Sequence, residues 1–201
     1  MSIWAICSSH GGHGLRRLAP RRLAAAGAVA ALLGGASTPL GAQITLQEAL
    51  STAFPPPATV DRKTAYLSQA ALDSTRAEAG PDAPVSQSVV SYYVGRRDGK
   101  PVGVAYFDSH RVRTVNEVLM IVVGTDDRIH EIEVLRFAEP PEYKPSEPWL
   151  AQFGGKTLAP ALSLKGDIVM MTGATLTSNA VTRAVRRVLA LHRRIRPFAA
   201  P

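Results

Sequence analysis

The sequence predicts an α+β domain: a small antiparallel sheet made of two hairpins, a C-terminal helix packed on it, and helices ahead of it. Three observations carry this. Pairs of runs rich in Val, Ile and Tyr flank Arg97-Asp98-Gly99-Lys100 and Gly124-Thr125-Asp126-Asp127-Arg128, which is strand patterning around turn chemistry. From about Asn179 to Ile195, the residues Val181, Ala184, Val185, Val188, Leu191 and Ile195 recur at helical spacing, giving one apolar stripe on an amphipathic helix. The composition, 46% hydrophobic and 19% charged over 201 residues, is that of a globular chain of about one domain.

In chain order, the first element is a processing segment. Residues 1–42 hold Arg16, Arg17, Arg21 and Arg22 and no acid, then an uninterrupted Leu, Ala, Val and Gly run from Leu23 to Ala36, then the small residues Ser37 to Ala42. Charged, apolar and small-residue regions in that order form a secretory signal. The apolar run of 14 residues is shorter than the roughly 20 a spanning helix needs. Cleavage is expected after Ala42, with an uncleaved N-terminal anchor as the alternative; the arginine pairs keep a twin-arginine route open. The only cysteine, Cys7, falls in this segment, so the exported chain would hold no thiol for a disulfide, a metal or nucleophilic catalysis.

Residues 43–84 are expected to be helical. Thr45-Leu46-Gln47-Glu48 has capping-box spacing and is followed by Ala49, Leu50 and Ala53 up to the Pro55-Pro56-Pro57 stop. A second helix is expected from about Asp61 to Ala79, closed by Gly80-Pro81. The domain proper is placed at residues 85–196, with 197–201 a tail. Its strands are expected at Ser88 to Val94, Val102 to Phe107, Val118 to Val123 and Ile129 to Phe137. Tyr92 and Tyr93 are adjacent on a strand and must face opposite sides. Glu139 to Pro145 holds three prolines and reads as a loop without regular structure, leading to Trp149, Leu150 and Phe153.

The formal charge of +7 is not a property of the whole chain. Of 23 basic side chains, four lie in residues 1–42 and six are arginines between Arg183 and Arg196, leaving 13 against 16 acids in residues 43–182. A mildly acidic body has no nucleic-acid footprint. The cluster Arg183, Arg186, Arg187, Arg193, Arg194 and Arg196 reads as a solvated helix face, or as a contact with anionic lipid or an acidic redox partner.

Chemistry concentrates at Met171-Thr172-Gly173-Ala174-Thr175-Leu176-Thr177-Ser178, small and hydroxyl residues just ahead of the closing helix. Free amides and the positive dipole end of a helix suit an anion such as phosphate. Thr177 or Ser178 as a plain N-cap is the competing reading, and the residues alone leave both open.

In these residues the chain resembles the FMN-binding domain shared by flavin-carrying subunits of Rnf-type and sodium-pumping NADH:quinone reductase complexes and by related periplasmic proteins. The signature of that family is Ser/Thr-Gly-Ala-Thr, often continued by Leu/Ile-Thr-Ser, and Thr172 to Ser178 matches it; the order of sheet, Pro-rich loop, Trp149, Phe153-Gly154-Gly155-Lys156, motif and terminal helix extends the likeness over about residues 85–195. The resemblance implies an exported FMN-binding flavoprotein that moves electrons between a membrane-associated reductase and an extracytoplasmic acceptor. It also implies FMN joined by a phosphoester to Thr175 through a flavin transferase. Thr172, Gly173, Ala174 and Leu176 would shape the site, Thr177 and Ser178 would hold phosphate, and Arg183 would approach it. Tyr143, Trp149, Met170 and Met171 are candidate walls for the ring. One position departs: the motif usually has Asp three residues before its first Ser/Thr, where Val169 stands here, and the nearest acid is Asp167. A bulge that recruits Asp167, FMN held without a bond, and a degenerate relative all remain open. An export module without redox chemistry that binds an anion or a protein is the alternative function.

The remaining polar residues read more simply. His110, His130 and His192 have no paired ligand spacing and are expected to be solvated or hydrogen-bonded. Asp126-Asp127 fit a turn, and Glu131 and Glu133 the solvent face of a strand.

Overall fold

The computed structural model describes residues 44–199. The export-type segment 1–42 with Cys7, His10 and His13, and the end of the tail, lie outside the described residues. The predicted capping box forms. Thr45 caps α1 (Leu46–Ala53), its Oγ1 accepting from Glu48 N–H while the Glu48 carboxylate accepts from Thr45 N–H at 2.8 Å.

The helix expected from Asp61 is corrected. Thr59–Tyr66 is a strand, β1, and helix α2 begins only at Gln69 and runs to Ala79, capped by Ser68. All eight residues of β1 pair with β2 (Val89–Arg97), from Thr59↔Arg96 to Tyr66↔Val89. As an edge strand, β1 is mostly exposed and is held by its backbone ladder. Asp61, Arg62 and Lys63 sit in water, where such charges also protect a sheet edge from pairing with another chain.

The sheet continues as a meander in the order β1-β2-β3-β4-β5, with β3 at Lys100–Arg111, β4 at Asn116–Gly124 and β5 at Ile129–Arg136. The predicted hairpins are β2–β3 and β4–β5. Asp98 and Gly99 join the first with φ of 52° and 73°, the left-handed pair that a two-residue hairpin loop demands. In the second, Val122 pairs with Glu131 but Val123 with Ile129. This irregularity at His130 puts Ile129 and Ile132 in one core and explains the imperfect alternation of the sequence.

Both faces of the sheet are covered. On one, α2 and the closing helix α4 (Thr175–Ile195) pack Leu72, Val181, Val185 and Val188 against Val94, Tyr106, Leu119 and Ile121. On the other, Leu50 and Phe54 meet Ala105, Met120 and Val122. A methyl group on Gly95 would collide with the Phe54 ring, so this glycine is a packing requirement. Tyr92 stacks on Tyr106 and Tyr93 packs edge-on to Phe107 on the other face, as strand alternation demands.

Two further expectations are corrected. The Pro-rich segment contains one 3₁₀ turn, Pro141–Tyr143, before the short helix α3 (Glu147–Leu150) and a second 3₁₀ turn at Ala151–Phe153; proline at the start of a helical turn loses no needed donor. The arginines of α4 are not a solvated face. Arg186 donates to the carbonyls of Ala79, Ala159 and Leu162, Arg193 to that of Leu158, Arg194 to Glu78 and Arg187 to Asp108. They tie the helix to the end of α2, to β3 and to the 158–162 loop, while Arg183, Arg193 and Arg196 are exposed. Among the described residues no helix is long and apolar enough to cross a membrane.

Candidate functional site

Helix α4 begins at Thr175, four residues earlier than its apolar stripe suggests. Its N-cap is therefore Ala174, which has no side chain to cap with, and the first turn holds no acid. Neither Thr177 nor Ser178 is the cap. The first ladder bond runs from Ser178 N–H to Ala174 C=O at 3.0 Å, so the amides of Thr175, Leu176 and Thr177 precede the ladder. Alanine is among the poorest caps, at a cost of about 1 kcal/mol.

The loop ahead of the helix is held from several sides. Ser178, fully buried, accepts from Met171 N–H at 3.0 Å and donates to Ala174 C=O at 3.0 Å. Trp149 donates its indole N–H to Val169 C=O at 2.6 Å, and Val169 N–H donates to Gln152 Oε1 at 2.9 Å. Gly173 takes a φ of 78°, a turn that any residue with a Cβ would strain.

Over the helix start lies a cavity of about 170 Å³, lined by Gly173, Ala174, Thr175, Leu176 and Thr177, by Val112 and Arg113 from the β3–β4 turn, and by Glu139 and Tyr143. Glu139 is spoken for: its carboxylate accepts from the amides of Thr114 at 2.8 Å and Val115 at 3.3 Å, and these bonds, the Thr114 amide first, hold it below its ordinary pKa. It clamps the turn that presents Arg113.

The motif residues thus divide. Gly173, Ala174, Thr175, Leu176 and Thr177 come together at the cavity. Thr175 is exposed and its hydroxyl donates to Met170 Sδ at 3.2 Å; Thr172 is exposed beside it. Ser178 and Trp149 do not line the cavity and shape it from within the fold, Trp149 packing on Phe153 with ring centroids 5.4 Å apart. Tyr143 is a wall, whereas Met171 is partly buried against the core. Arg183 lies eight residues into the helix, about 12 Å along its axis from Thr175, in the adjoining groove. Arg113 takes the place expected of it. Arg113, Val112 and Glu139 escaped the sequence because only the tertiary fold brings the β3–β4 turn to the motif. The Val169 side chain is 72% exposed, and Asp167 pairs with Lys156 at 3.1 Å, away from the cavity lining.

The donor set fits the phosphate end of a nucleotide: free helix-start amides, a hydroxyl and a guanidinium around a helix dipole without its own cap. The volume is below the roughly 300–1,000 Å³ of sites that enclose a whole small molecule, so a ring system would extend past the rim.

The result is a small α+β domain whose last helix starts without a side-chain cap beside a cavity. Residues 116–190 match the family model described as the FMN-binding domain. That stretch, from β4 into α4, is similar to the FMN-binding domain family, and the match supports a flavin-binding role. No curated protein matches the chain.

Proposed function

We propose that this chain is an exported flavoprotein carrying FMN on Thr175 through a phosphoester, and that it passes electrons between a membrane-associated reductase and an extracytoplasmic acceptor. The observation that carries this is Thr175, exposed at the first position of a helix without a side-chain cap and among the residues lining the cavity. An exposed hydroxyl is within reach of a flavin transferase. The helix-start amides and Arg113 would hold the phosphate oxygens, and Tyr143 and Leu176 would offer apolar surface to the ring. Bound FMN supplies the redox chemistry; the protein contributes position and electrostatics. Export rests on the signal-like residues 1–42, and electron transfer on the resemblance to redox-complex subunits.

The missing motif aspartate at Val169 bears on attachment by the transferase more than on binding, because the groups that would face phosphate, the helix-start amides and Arg113, belong to residues that line the cavity. Co-expression with a flavin transferase, followed by a denaturing gel, tests the bond. Wild-type protein is expected to keep yellow fluorescence and Thr175→Ala to lose it. Native protein without flavin absorbance would defeat the proposal.

A further inference from the structure

Four charged side chains are gathered next to the cavity, between the sheet and α4. His110 on β3 lies between two carboxylates, with Nδ1 2.9 Å from Asp108 Oδ1 and Nε2 3.0 Å from Glu117 Oε2. Arg187 of α4 grips Asp108 by two bonds, Nη2 to Oδ1 at 2.7 Å and Nε to Oδ2 at 2.8 Å. Register explains the assembly: His110 is directly opposite Glu117 across β3 and β4, and Asp108, two residues from His110, shares its face. The Glu117 side chain is wholly buried, and its Oε1 has no hydrogen-bond partner among the described residues. Val112 and Leu176 line both the cavity over Thr175 and the groove that contains His110 and Arg187.

We propose that His110, held between Asp108 and Glu117, is a proton-bearing positioning residue that takes up a proton when a flavin in the neighbouring cavity is reduced, an inference that rests on the flavin lying at Gly173–Thr177. Burial opposes charge on the imidazole, yet the hydrogen bonds to Asp108 and Glu117 outweigh it and push His110 up to about 9. Burial also pushes Glu117 up. It acts the same way on Asp108, but the bonds from His110 and Arg187 prevail and hold that carboxyl down. The other charges facing the cluster are Arg111 on β3, Arg183 on α4 and Asp82 ahead of β2, which line the groove, and Lys144, which acts on Glu117.

The balance is simple. Two electrons from a reductant such as dithionite and one proton convert oxidised flavin to its reduced anion, forming one flavin N–H bond. Where the imidazole has already lost its proton, the new negative charge draws a second proton from solvent, forming one N–H bond on the His110 ring. At an effective dielectric of about 20, charges ~10 Å apart shift each other's pKa by roughly one unit, which is enough to separate the oxidised and reduced titrations.

The test is the midpoint potential of the flavin in the flavin-loaded protein from pH 7.5 to 11, for wild type and His110→Gln. It is paired with ¹H–¹⁵N spectra of the histidine rings in oxidised and dithionite-reduced wild type. The wild-type potential should fall about one and a half times as steeply between about pH 9 and 10 as below about pH 8, and the His110 ring should titrate at higher pH after reduction. His110→Gln should show one unbroken slope; if it fails to fold, the two wild-type measurements decide. A flavin-bearing wild type with one unbroken slope, or with a ring that titrates alike in both states, overturns the proposal and leaves the proposed function standing. Wild type without flavin overturns both.

Discussion

Replacing Ser178 by alanine separates two roles for a motif hydroxyl. The side chain has no exposure and makes two bonds, one from Met171 N–H and one to Ala174 C=O. Alanine leaves the Met171 amide without its partner, which costs about 1–3 kcal/mol, while the better helix propensity of alanine returns roughly 0.5 kcal/mol. The net expectation is a loss of about 0.5–2.5 kcal/mol, present before any flavin binds because both bonds lie within the protein. Urea unfolding of the flavin-free chain lacking residues 1–42 measures it: the midpoint should fall with an unchanged slope. If Ser178→Ala is as stable as wild type when flavin-free and only its flavin affinity drops, Ser178 is a phosphate ligand and the loop-clamping role is wrong.

Other substitutions test the frame around the site. Gly95→Ala sets a methyl group against the Phe54 ring and should destabilise the chain by about 1–3 kcal/mol, read from urea midpoints. Trp149→Phe removes the 2.6 Å bond to Val169 C=O while keeping most of the ring packing; about 1 kcal/mol of stability should go, with earlier hydrogen exchange in residues 168–172. The His110 cluster sets a pH trend. With a folded pKa of about 9 against 6.5, the stabilisation is fully present below pH 6.5 and lost as pH rises through 9. For a shift of that size it is on the order of 3 kcal/mol, shared with Glu117. Thermal melts at pH 6 and pH 10 should differ more for wild type than for His110→Gln.

What the sequence made legible follows from which forces act locally. The capping box at Thr45, the Asp98-Gly99 turn and the stripe of α4 are encoded within a few residues of one another, and each stands where expected. Strand β1 was hidden because an edge strand stabilised by backbone pairing needs no apolar alternation, so Ala65, Tyr66 and Leu67 merged with the helical spacing of α2. The start of α4 was hidden by the β-branched Thr175 and Thr177 and the exposed Leu176, which lack the apolar stripe that follows. The arginines of α4 looked solvated because the carbonyls they bind lie 24 to 107 residues away in sequence. The site divides the same way. Its motif half is contiguous and readable, whereas Arg113 and Glu139 arrive through the sheet. The buried partners of His110 follow from register between β3 and β4, which no single strand announces.

The central claim, that Thr175 at the uncapped start of α4 carries FMN, is tested most directly by intact mass. The mature protein is co-expressed with a flavin transferase and compared with Thr175→Ala under denaturing conditions. Wild type should carry the added mass of one FMN phosphoester and Thr175→Ala none, and the same spectrum shows whether the N-terminal segment is cut. An unmodified wild-type mass, or an equal adduct on Thr175→Ala, would contradict the claim.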